Sequence, residues 1–127
     1  MTVERITGED LKTYTDGLPG YTFSPAGTLK FVILEGADGK GYVRADKHSE
    51  HWEILLRLIE YLRINNMNVN EDPCRGGGQV DIFHQKDGIT RLSFGGGSQR
   101  YGGYDKGLLI MTLDEVLDKQ SFAYTVV

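Results

Sequence analysis

The sequence predicts an α+β domain: a mixed β-sheet of about five to six strands with two helices. Three observations carry this. The stretch Ser49–Asn65, SEHWEILLRLIEYLRIN, repeats its apolar residues at helical spacing. The stretches Leu29–Glu35, Tyr42–Ala45, Gln79–His84, Ile89–Phe94 and Phe122–Val127 have the composition of strands, with Met67–Asn70 as a short further one. Clusters of glycine and asparagine punctuate them. With a second helix at Thr112–Lys119, the order is β-β-α-β-β-α-β.

Taken in chain order, Met1–Thr28 reads as a loop-rich arm, because Gly17, Pro19, Gly20, Pro25 and Gly27 interrupt any regular element. Residues 29–127 form a single domain. Leu29–Glu35 is apolar on both faces, which predicts a central strand, and Lys30 stands at its start. Gly36–Gly41 turns the chain back into Tyr42–Ala45. In the helix, Leu55, Leu58 and Leu62 fall within roughly 40° of His51 on a wheel of 100° per residue. His51 therefore belongs to the apolar stripe and points into the protein from the first turn. Ser49 is the expected N-cap, with Glu50 and Glu53 suited to the positive helix start. Asp72-Pro73 is expected to break the chain before the cluster Cys74-Arg75-Gly76-Gly77-Gly78. Lys86-Asp87-Gly88 is a tight turn between two strands. The second glycine cluster begins at Gly95 and runs to Tyr104, and Thr112 is the expected cap of the second helix.

Composition narrows the function classes. The chain has 127 residues, 39% hydrophobic and 25% charged, which fits one soluble globular domain. The formal charge is −4, whereas a nucleic-acid partner calls for a basic surface. No apolar run approaches the ~20 residues of a membrane span, and the amino terminus has no signal-peptide core. A single cysteine, Cys74, excludes an internal disulfide and suggests a reducing, cytoplasmic setting. The 17 glycines approach twice the usual ~7% and require a reason.

Three features suggest where chemistry could sit: Lys30 at a strand start, His51 at a helix start, and the loop Gly97-Ser98-Gln99-Arg100 after a strand. An ammonium, helix-start N–H groups and a glycine-rich loop together describe an oxyanion site on an otherwise acidic protein. His51, as a neutral imidazole, could activate water or take the phosphoryl group itself. Each feature also has a plainer reading: Lys30 as an edge charge, the glycines as turns and bulges, His51 as a packed, hydrogen-bonded histidine. A metal reading, with His48, His51, Cys74 and His84 as ligands, fits no standard spacing.

From Leu29 to Val127 the chain resembles the small phosphohistidine phosphatases, the Janus/ocnus family. Lys30-Phe31-Val32-Ile33-Leu34 is similar to the family's first strand, which opens with a phosphate-binding lysine. Glu50-His51, followed by Glu53-Ile54-Leu55, resembles the helix start that carries its essential histidine. Cys74-Arg75-Gly76-Gly77-Gly78 resembles its Cys-x-Gly-Gly-Gly segment, and Ser98-Gln99-Arg100-Tyr101-Gly102 its Ser-x-x-Tyr-Gly phosphate loop. The resemblance implies a phosphohistidine-phosphatase-like fold and cofactor-free, metal-independent hydrolysis of the N–P bond of phosphohistidine in a protein substrate. In that role His51 is the catalytic base. Lys30, Gly97, Ser98, Gln99 and Arg100 bind the phosphate, and the protein acts as a monomer. Gln79 and Gly97 stand where the family has arginine and tyrosine, and Trp52 where a small residue is usual. Arg75 or Arg100 is the candidate replacement for the missing cation. A non-catalytic module that binds a phosphorylated ligand or a protein is the alternative expectation.

Overall fold

The computed structural model describes residues 6–7, 27–46, 49–97, 102–117 and 119–127. They form one six-stranded mixed sheet and two helices. In chain order these are β1 (Ile6–Thr7), β2 (Gly27–Gly36), β3 (Gly41–Asp46), α1 (His51–Ile64), β4 (Val69–His84), β5 (Thr90–Gly95), α2 (Lys106–Val116) and β6 (Phe122–Val126). The spatial order of strands is β1-β3-β2-β4-β5-β6. β1 runs parallel to β3, and β6 parallel to β5, while the inner pairs are antiparallel. The expected α+β class holds, the expected order β-β-α-β-β-α-β is preceded by one further strand, and β2 is central as its two-faced apolar pattern requires. The segment expected as an arm contributes two things to the sheet: the short strand β1 and the first residues of β2.

Alternation along β2 sorts the core into two layers. Leu29, Phe31 and Ile33 join Val43, Val80, Ile82, Leu92 and Phe94 under Leu108, Leu109 and Leu113 of α2. Val32 and Leu34 face the other way and pack with Tyr42 against Ile54, Leu55, Leu58 and Leu62 of α1. The apolar stripe read from the sequence is therefore the buried face of α1.

Three expectations are corrected. The second helix does not start at Thr112; it runs over Lys106–Val116, and Asp105 caps it, its carboxylate accepting from the Leu108 N–H at 3.0 Å. Thr112 is instead a buried mid-helix residue whose hydroxyl donates to the Leu108 carbonyl at 2.7 Å, and Asp114 and Glu115 lie in the last turn. Gly41 leaves room for it: a Cβ there would run into the Thr112 hydroxyl.

Second, Asp72-Pro73 does not break the chain. Met67–Asn70 and Gln79–His84 are not two strands; a single 16-residue strand, β4, passes through Pro73 and the first glycine cluster. The irregularity is absorbed by bulges, since Leu34 pairs with Cys74 while Gly36 pairs with Val69. Pro73 lies inside that looped-out step, where the missing N–H leaves no ladder bond unmade. Third, Ser49 is not the N-cap of α1. Glu50 is, and its N–H is met by the Glu53 carboxylate at 3.1 Å. Ser49 instead joins Asp46 and Arg57 in a polar tie between β3 and α1.

Leu109 is completely buried at the centre of the α2 layer. Leu109→Ala is expected to lower the unfolding free energy by about 2–5 kcal/mol, read as a shift in the denaturant midpoint at unchanged slope.

Candidate functional site

One cross-strand row organises the polar end of the sheet. Asp46 of β3 pairs with Lys30, Lys30 with Gln79 of β4, and Gln79 with Gly95 of β5. Each alternates with a neighbour in the α2 layer (Ala45, Phe31, Val80 and Phe94), so all four face the α1 side. Lys30 and Gly95 are two interstrand steps apart, roughly 10 Å. The first described stretch of the second glycine cluster, Gly95–Gly97, leaves the sheet from the end of this row. Its neck is narrow: a Cβ on Gly97 would lie 3.7 Å from the Gly102 carbonyl oxygen. Gly96 has φ +70° and lies against the Gln79 side chain.

His51 enters from the start of α1, half-buried. Its Nε2 lies 2.9 Å from the carbonyl oxygen of Gly78, the residue before Gln79. A carbonyl only accepts, so Nε2 carries the hydrogen, and in the neutral ring Nδ1 holds the free lone pair. The approach depends on Gly77. A Cβ there would sit 3.1 Å from His51 Cδ2 and 2.6 Å from the Phe31 carbonyl oxygen. Gly78 faces the opposite layer, where a Cβ would crowd the Phe31 ring at 3.0 Å and Tyr104 Cδ1 at 3.2 Å. Gly76, at φ +99°, holds a conformation that L side chains avoid. The first glycine cluster is thus a close-approach stretch of strand rather than a phosphate loop.

Lys30 reaches the same place from below. Its ammonium donates to the Glu50 carboxylate at 2.8 Å, and Glu50 directly precedes His51. The hydrogen bond and charge of Lys30 hold the Glu50 carboxyl below its ordinary range. Lys30 and His51 are therefore brought together, on one face, beside the start of the Gly95–Gly97 run. Ser98, Gln99, Arg100 and Tyr101 lie outside the described residues. So do His48 and the side chain of His84.

Arg75 cannot replace a missing cation here. It sits near the other end of β2, where it pairs with Glu35 at 3.1 Å and donates to the carbonyls of Asp72 and Cys74. Cys74 also lies on that side, half-buried against the α1 layer, and burial pushes its thiol up. Among the described residues no three His, Cys, Asp or Glu side chains gather as a metal site, and no helix is long and apolar enough to cross a membrane. Sequence reasoning missed two participants: Glu50, taken only as a helix-start acid, and the Gly78 carbonyl, for which a sequence offers no signal.

No protein-family model matches the chain, and no curated protein matches it. A reading of function therefore rests on the residues themselves.

Two outcomes follow from this geometry. Gly77→Ala is expected to cost about 1–3 kcal/mol and to speed solvent exchange of the His51 ring N–H, observed by NMR. The Cys74 thiol, held protonated by burial, should react with iodoacetamide at pH 8 more slowly in the native protein than in denaturant.

Proposed function

We propose that the protein is a metal-independent phosphatase that cleaves the N–P bond of phosphohistidine, or a related phosphoramidate, in a protein substrate. One observation carries the reading: the Lys30 ammonium and the His51 imidazole are held side by side, through Glu50, at the row that ends in Gly95. The motif order Lys30, Glu50-His51, Cys74-x-Gly-Gly-Gly and Ser98-x-x-Tyr-Gly supports it from the sequence.

In this mechanism Lys30 and the amides of the Gly97-Ser98-Gln99-Arg100 loop hold the phosphoryl oxygens, and the Gln79 amide can add a donor between them. His51 Nδ1 takes a proton from the attacking water. The water oxygen bonds to phosphorus, and the P–N bond breaks with its electron pair going to the substrate nitrogen. That nitrogen picks up a proton from solvent, and His51 returns its own to solvent. The N–P bond is labile, so positioning and charge neutralisation supply most of the acceleration. One unpaired thiol suits a reducing, cytoplasmic setting for this activity.

A second reading is supported by Gln79 and by the Lys30–Glu50 pair. An uncharged amide at the centre of the row, beside a lysine already neutralised, suits a module that binds a phosphorylated ligand without turnover.

Phosphate release from a phosphohistidine peptide separates the two. His51→Ala is expected to slow release by about 10²–10⁴, and Lys30→Ala to raise KM. Equal rates for wild type and His51→Ala would remove the hydrolase reading. No turnover, with phosphate still shifting the amides of Gly95–Gly97, would leave the binding module.

A further inference from the structure

Glu50 holds a position that helix capping alone does not explain. Its carboxylate oxygen lies 2.8 Å from Lys30 Nζ, the geometry of an ammonium on an oxyanion. Lys30 pulls the carboxyl toward its ionised form, so at neutral pH the pair is a formed ion pair. Yet both partners are open to water, with 35% of the Lys30 side chain and 62% of the Glu50 side chain exposed, and such a pair is screened and loosely held. Glu50 also closes a reciprocal capping box, its side chain accepting from the Glu53 N–H and its own N–H donating to the Glu53 carboxylate, so the carboxylate is held between the helix start and Lys30. Among the described residues, Arg57 is engaged with Asp46 and Ser49, Arg44 lies over the Tyr61 ring and Arg91 pairs with Asp87.

We propose that Glu50 is a built-in counter-anion. It occupies Lys30 until a doubly charged phosphoryl group displaces it, and so sets which anions the site accepts. The inference rests on reading this site as a phosphoryl site. A singly charged anion would exchange one carboxylate-like contact for another. It would also compete against a tethered rival at high effective concentration. A phosphoryl dianion brings more charge and three oxygens, enough to take Lys30 and neighbouring donors together.

The experiment is titration with inorganic phosphate at pH 8 and, separately, with acetate, followed by amide shifts in wild type, Glu50→Gln, Lys30→Ala and the double variant. Wild type should bind phosphate and ignore acetate. Glu50→Gln should bind phosphate about three- to tenfold more tightly and acquire acetate binding, and adding Lys30→Ala should abolish both gains. Glu50→Asp keeps the helix-start charge but withdraws the carboxylate, and is expected to act in the same direction. Phosphate affinity in the Glu50 variants no higher than wild type, or no acetate binding by Glu50→Gln, overturns the counter-anion while Lys30→Ala still weakens phosphate. If no variant binds phosphate, or Lys30→Ala changes nothing, the phosphoryl site itself is refuted, and the counter-anion falls with it.

Discussion

The contact between the His51 ring and the Gly78 carbonyl exists because position 77 has no side chain. A helix packed on a sheet normally keeps side chains of both elements between the two backbones. Here the first residue of α1 rests directly on β4, and the ring fills the space a Cβ would take. The same bare stretch lets Phe31 and Tyr104 close on Gly78 from the other face, with ring centroids 5.2 Å apart. One strand segment is thus gripped from both sides, and this fixes where α1 begins.

From that starting point the polar end of the sheet follows. α1 runs from Gly78 toward the Met67, Val69 and Cys74 side, covering Val32, Leu34 and Tyr42. It does not extend over Lys30, Gln79 or Gly95, so those positions on the α1 face carry a charge, an amide and a glycine instead of core residues. On the opposite face α2 buries Leu29, Phe31, Val80 and Phe94, the direct neighbours of the same residues. Burial of one face gives the sheet its rigidity at this end, and α1 leaves the other face of the row uncovered.

Much of this was legible from periodicity. The stripe of Leu55, Leu58 and Leu62 located α1 and aimed His51 inward, and the two-faced pattern of Leu29–Glu35 made β2 central. The errors share a cause: local punctuation was overruled by pairing at a distance. Pro73 and Gly76–Gly78 look like breakers, yet β2 supplies a partner strand and bulges absorb the misfit. Thr112 resembles a cap by type, but Asp105 seven positions earlier binds the free N–H and Leu108, Leu109 and Leu113 complete the buried face. Of the candidate site, the places of Lys30 on β2 and of His51 in the first turn of α1 were legible. Their convergence was not, because it depends on the register that sets Lys30 opposite Gln79.

The acidic composition sharpens the electrostatics of this end. A chain of net charge −4 with a lone exposed lysine at a sheet end would be a weak anion trap. The described residues instead place an ammonium and the start of a glycine run on the same row, with the His51 ring beside them. The Gly78 carbonyl occupies the ring N–H of His51, so this proton is unavailable to an oxyanion, and the imidazole contributes a lone pair rather than a donor. The two side chains therefore differ in kind at this row: Lys30 brings an ammonium paired with Glu50, and His51 brings a ring whose Nε2 is already engaged, so neither could stand in for the other.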